Sequence, residues 1–214
     1  VAYAARTPDR NEGRGRGAPE GDEMTDTLFT RIPRDRLPEQ FHLAWDTMHK
    51  LTGEPTFVEV FAQNPEMLDF VMNKFYGPVF FGGKVDNRYK QLARLKLSLI
   101  HGCRTCNKQN VPGALAAGIT QAQVDAMDDF ENGPFTDAEK AVIAYAAQVA
   151  LTNMDGEMTP QLFKRLRAHF SEADILELGT AMAIVSGMAK LSFVLNLVEK
   201  EAYCPFAPNA ADAA

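Results

Sequence analysis

Leu97-Ser98-Leu99-Ile100-His101-Gly102-Cys103-Arg104-Thr105-Cys106 joins two helical patterns and carries the most informative chemistry in the chain. Leu92, Leu95 and Leu99 recur at three- and four-residue steps, the spacing of one helix face, and Asp86 stands where that helix would be capped. Gly102 can end it in the left-handed conformation that glycine adopts without steric cost. The next helix then begins near Cys103 and runs toward Ala117. That start matters, because unpaired backbone N–H groups and the positive end of the helix dipole stabilise a thiolate over a thiol. Arg104 and Lys108 add positive charge nearby. Two cysteines three positions apart on a helix share a face, so they can close a disulfide or share an electrophile.

Helical punctuation continues on both sides. Pro38 fits the first turn of a helix carrying Phe41, Leu43, Ala44, Trp45 and Met48, closed near Gly53. Asn64-Pro65-Glu66 reads as an N-cap, a first-turn proline and an acidic first turn, leading into Met67, Leu68, Phe70, Val71 and Phe75. Gly77 to Lys84 reads as an apolar loop. Thr120…Gln123, Thr136…Glu139 and Ser171…Asp174 have the form of capping boxes. Thr159-Pro160 opens another helix, and a long one is expected between Ala173 and Glu201. No period-2 run competes, so the predicted fold is all-α, a multi-helix bundle.

The chain has 214 residues, 46% of them hydrophobic, which suits one domain with a sizeable core. Val1 to Glu23 holds almost no large apolar residue and reads as a disordered leader. Met24 follows at once, which also fits an upstream-frame origin for residues 1–23 and a single helical domain over 24–214. The net charge of −6 argues against a nucleic-acid partner. No run reaches the ~18 apolar residues of a membrane span, so no membrane partner is expected. No secretory h-region is visible at the N-terminus, and the expected compartment is cytoplasmic.

Three cysteines cannot form a disulfide framework, so Cys103 and Cys106 read as redox or metal chemistry, or as buried small hydrophobes. A structural zinc site needs four ligands, and no second Cys or His pair stands at ligand spacing. A thioredoxin-like site needs a βαβ setting that is absent here. As a redox pair, one thiolate would attack an electrophile such as a peroxide oxygen and its neighbour would resolve the product to a disulfide. Lone Cys204 reads as packing. His101, two residues from Cys103, is a candidate base if the Gly102 break redirects it; otherwise it is a satisfied or exposed histidine. His42, His49 and His169 lie on other helices. Phe80-Phe81 beside Gly82-Gly83 reads as core or interface before substrate entrance, and Asp128-Asp129 with Glu131 as a solvated acidic turn. No cofactor or metal motif is present, nor a Ser-His-Asp order.

These residues resemble the carboxymuconolactone decarboxylase/AhpD-like family. The likeness rests on the Leu-rich helix, Gly-Cys-x-x-Cys and Ala114-Leu115-Ala116-Ala117-Gly118-Ile119-Thr120, and extends over most of Gln40 to Val198. The resemblance implies an all-α fold assembling as a homotrimer or homohexamer. It implies a redox-active pair, with Cys106 as the peroxide-attacking thiol and Cys103 as its resolver, and no cofactor. It implies a hydroperoxide or disulfide as small-molecule substrate and a dithiol-bearing protein as reductant. Three positions depart from the AhpD pattern: Gln91 stands for a Glu, Asn110 for a His, and Thr105 for a frequent His. Gln and Asn titrate nowhere near neutral pH, so the family's Glu/His proton relay is missing. That leaves a weak or specialised alkyl hydroperoxidase as the first expectation. Cofactor-independent lactone or carboxylate chemistry of the decarboxylase type, and a non-catalytic oligomeric ligand binder, are the alternatives.

Overall fold

The computed structural model describes residues 27–206, so the expected leader, residues 1–23, lies outside the described residues. Among these the secondary structure is helical: α1 (His42–Thr52), α2 (Thr56–Phe61), α3 (Pro65–Asp69), a π-helical segment (Phe70–Phe81), α4 (Asn87–His101), α5 (Arg104–Ala116), α6 (Gln121–Asp125), α7 (Asp137–Val149), α8 (Pro160–Arg167) and α9 (Glu172–Val194). The all-α expectation holds. The extended pairing present is one isolated bridge between Cys103 and Lys200.

α4 is the central element, packing against α5, α7 and α9. It serves two cores from two faces. Ala93 and Leu97 meet Ala141, Val142 and Ala146 of α7, Leu166 of α8, and Leu178 and Met182 of α9. Leu92 and Leu95 meet Ala114, Ile119, Met127 and Ile143. Alanines on α7 allow it to lie close to α4, while each buried leucine contributes roughly 1.5–3 kcal/mol of transfer free energy. A third cluster, built on Leu37, Phe41, Met48, Val58 and Leu68, packs the N-terminal helices together.

The caps form where the side chains dictate. The Asp86 carboxylate accepts from the Arg88 N–H and the Asn64 side chain from the Met67 N–H. All three capping boxes are complete. Two of them are cross-linked: the Arg88 guanidinium donates to Glu139 at 2.6 Å and to Gln123 at 3.0 Å, tying α4 to the starts of α6 and α7.

Some boundaries differ from expectation. Gly77 to Phe81, read as loop, continues the π-helical segment through Pro78. Buried Phe75 and Phe80, packed on Ala181 of α9, override the local preferences of Gly77 and Pro78. The long final helix stops at Val194 rather than near Glu201, because Asn196 turns the chain at φ 52 and sends Leu197 and Val198 back into the core. Proline 38 opens a 3-10 turn, Glu39–Phe41, and α1 follows it. α9 holds no unbroken run of ~18 apolar residues, yet by length and composition it is long and apolar enough to cross a membrane. Gly179, Ser186 and Gly187 interrupt its apolar runs, which hid this from a run-length reading, and the helix packs against α4 and α7.

Candidate functional site

Gly102 ends α4 at φ 60, and Cys103 forms the N-cap of α5 with its sulfur accepting the Cys106 N–H at 3.2 Å. Cys103 and Cys106 are joined as a disulfide, with their Cα atoms 5.1 Å apart. Cys103 is fully buried and Cys106 half-buried, so Cys106 is the more accessible sulfur.

A strap formed by residues 195–206 crosses this helix start. The Arg104 N–H donates to the Glu199 carbonyl at 3.0 Å, the Glu201 N–H to the Gly102 carbonyl at 2.8 Å, and the Glu199 N–H to Thr105 Oγ1 at 2.9 Å. Lys108 pairs with Glu199 at 2.9 Å and Arg104 with Glu201 at 3.4 Å. The positive charge that the sequence offered to the thiolate is therefore drawn toward the strap's carboxylates, leaving the helix terminus as its main stabiliser. Cys204, on the same strap, packs in one apolar cluster with Cys103, Cys106, Phe193 and Val198, and its thiol donates to the His101 carbonyl at 3.1 Å. The free thiol is core-like, as read, and lies beside the pair.

Both sulfurs line a cavity of about 100 Å³ between α1, α2, the π-helical segment, α4, α5 and α9. Its walls are mostly apolar, including Met48, Phe57, Met72 and Met188. His101 and Asn110 also line it. His101 is buried, which pushes its pKa down to about 4, and its Nε2 accepts the Leu151 N–H at 3.1 Å. The ring is neutral at physiological pH, and the lone pair a base would use is already engaged. Asn110 is buried and lines the cavity with the pair, whereas Gln91, equally buried, is not among the lining residues and lies beside Gly113 of α5; no partner reaches Gln91 Oε1 among the described residues. Thr105 is buried and holds the strap. His42 contacts the Leu37 carbonyl, His49 stacks on Trp45 and His169 meets Phe170, so none of the three is among the cavity's lining residues. Phe80 is buried while Phe81 is half exposed, and the Asp128 carboxylate faces solvent. Among the described residues no group of three His, Cys, Asp or Glu side chains converges as a metal site would require.

Sequence reading missed Arg94. It is only 7% exposed, lines the cavity, and stands on the same α4 face as Leu97, Ser98 and His101. Its Cζ lies 5.3 Å from the Phe80 ring centroid and 6.0 Å from that of Tyr76. Burial pushes its pKa down, with Tyr76 acting in the opposite direction. The signal was present in the pattern: an arginine three residues before Leu97 and seven before His101, on a stripe that is otherwise core.

Residues 65–128 match the model of the Carboxymuconolactone decarboxylase family. No curated protein matches the sequence. The debrominase Bmp8, solved as a cysteine-to-alanine variant in complex with 2,3,4-tribromopyrrole, superposes with a TM-score of 0.66 at 17% identity, over 84% of this chain and 95% of that one. The alkylhydroperoxidase AhpD core of an uncharacterized peroxidase-related protein from Ralstonia eutropha JMP134 gives 0.64 at 12% identity, over 82% and 93%. An Agrobacterium tumefaciens protein of unknown function, proposed as an AhpD antioxidant defence protein, gives 0.55 at 22% identity, over 63% and 91%. These likenesses are of fold. Residues 65–128, which hold both cysteines, match the carboxymuconolactone decarboxylase family model, and the chain that carries them has the AhpD-like helical fold.

Proposed function

We propose that this protein is a thiol oxidoreductase whose Cys106 and Cys103 cycle between dithiol and disulfide while reducing an organic hydroperoxide. The observation that carries this reading is the bonded pair at the start of α5, opening on an apolar cavity with Cys106 the more accessible sulfur. Cys106 as thiolate attacks the terminal peroxide oxygen; an S–O bond forms, the O–O bond breaks, and the alkoxide leaves and is protonated to the alcohol. The Cys103 thiol then attacks the sulfenic sulfur, the S–S bond forms, and the oxygen departs as water. A dithiol-bearing protein returns the disulfide to two thiols, and the working form is a homotrimer or homohexamer. With Gln91 and Asn110 in place of a proton relay, the rate lacks the ~10²–10⁴-fold that positioned acid–base groups supply.

The test is reaction of fully reduced protein with cumene hydroperoxide, quenched over time and mapped by mass spectrometry. Stoichiometric formation of the Cys103–Cys106 disulfide, faster than oxidation of a free thiol at the same pH, is expected, and Cys106→Ser abolishes peroxide consumption. Oxidation no faster than that of a free thiol at the same pH overturns the reading. Lactone turnover that survives loss of both cysteines would instead point to decarboxylase-type chemistry.

A further inference from the structure

A guanidinium that is nine-tenths buried requires compensation, since an isolated buried charge costs several kcal/mol or more. Arg94 has little. No carboxylate pairs with it among the described residues; the faces of Tyr76 and Phe80 give cation–π contact, and Tyr76 gives a hydrogen bond. Its Nε is buried and meets no acceptor among the described residues. The side chain lines the same cavity as Cys106, whose walls carry no other cation, His101 being neutral at physiological pH.

Clearance around the guanidinium is kept by Gly113, in the interior of α5 where glycine costs about 1 kcal/mol relative to alanine. A Cβ there would come within 3.1 Å of Arg94 Nη2 and 3.3 Å of Gln91 Oε1. The missing side chain lets the Arg94 fork and Gln91 Oε1 lie against the α5 backbone; Arg94 lines the cavity, whereas Gln91 and Gly113 are beside it and not among its lining residues.

We propose that Arg94 anchors the carboxylate of a small organic acid whose apolar body fills the cavity and whose reactive group meets Cys106. The fork geometry of guanidinium matches a carboxylate bidentately. One cation in an apolar cavity balances one negative charge, which favours a carboxylate over a doubly charged, more strongly hydrated phosphate. The delivery of this acid to sulfur rests on the thiol reading above; the anchoring itself does not.

Titration calorimetry of the unmodified oxidised protein with benzoate, benzamide and phenyl phosphate tests the anchor. Benzoate should bind at least tenfold tighter than benzamide and tighter than phenyl phosphate. Arg94→Leu should reduce benzoate affinity to the benzamide level, and Arg94→Lys should weaken it about tenfold by replacing a fork with a point charge. Gln91→Glu, which sets a carboxylate beside the same guanidinium, should weaken benzoate as well. Equal affinity for benzoate and benzamide, tighter binding of phenyl phosphate, or full benzoate affinity in Arg94→Leu each overturns the proposal. The benzoate-to-benzamide ratio on unmodified protein decides the matter if the leucine variant fails to fold. Cumene hydroperoxide oxidation without benzoate binding removes the anchor alone, whereas benzoate binding with inert thiols supports the anchor and removes the thiol reading alone.

Discussion

His101 shows how a residue's neighbourhood redirects its chemistry. It follows the leucines of α4 and precedes Gly102, so proximity to Cys103 was readable from the sequence. Its hydrogen bond from the Leu151 N–H was not, because that partner arrives from a segment fifty residues away. The same holds for Arg94, whose cavity is assembled from six separate helical segments. Burial without charge compensation holds the His101 pKa at about 4, below its ordinary 6.5. The unfolded chain therefore takes up the proton first as pH falls. The stability that neutral His101 contributes is complete above about 6.5 and is lost progressively toward pH 4. A shift of this size corresponds to roughly 3 kcal/mol. Denaturant unfolding between pH 4 and 7 should accordingly show a steep loss of stability on acidification that His101→Gln flattens. An unchanged slope in that variant would assign the acid sensitivity elsewhere.

At the scale of elements, the joint between the π-helical segment and α4 depends on one carboxylate from α9. Glu177 accepts the Lys84 N–H at 3.0 Å, the Val85 N–H at 3.1 Å and the ammonium of fully buried Lys90 at 3.0 Å; Lys90 also donates to the Val79 carbonyl. Burial opposes ionisation of Glu177, but Lys90 and the two backbone donors outweigh it and hold the pKa below the ordinary carboxylate range. Gly83 has no side chain because any would strike that carboxylate. Glu177→Ala should cost about 3 kcal/mol in denaturant unfolding, as expected when a buried cation loses its partner, and Glu177→Gln should cost less because its amide oxygen still accepts the backbone donors. A loss below about 1 kcal/mol in the alanine variant, the level of an exposed pair, would show that Lys90 finds other company. The caps of α3 to α9 were legible because each is a local agreement between a side chain and the next turn. The course of Gly77 to Phe81 was not, since its conformation is set by Phe75 and Phe80 packing on α9.

For the whole molecule, the all-α fold and the position of the cysteine pair follow from punctuation and spacing, whereas the strap and the cavity required long-range contacts. α9 leaves Leu176 at 70% and Val194 at 66% exposure, apolar surface of the kind that subunit contacts cover. Light scattering in solution should give three or six chain masses, and a single-chain mass would remove the assembly from the proposed function. Gly102 then takes on a meaning beyond its own turn. Its φ of 60 already favours glycine, and a Cβ there would come within 2.6 Å of the Cα of Cys204. Two positions a hundred residues apart are thus sterically coupled, so that neither can change shape alone. A lineage that acquires a side chain at 102 must also move its C-terminal strap, and one that loses the strap is freed from half the reason for keeping the glycine.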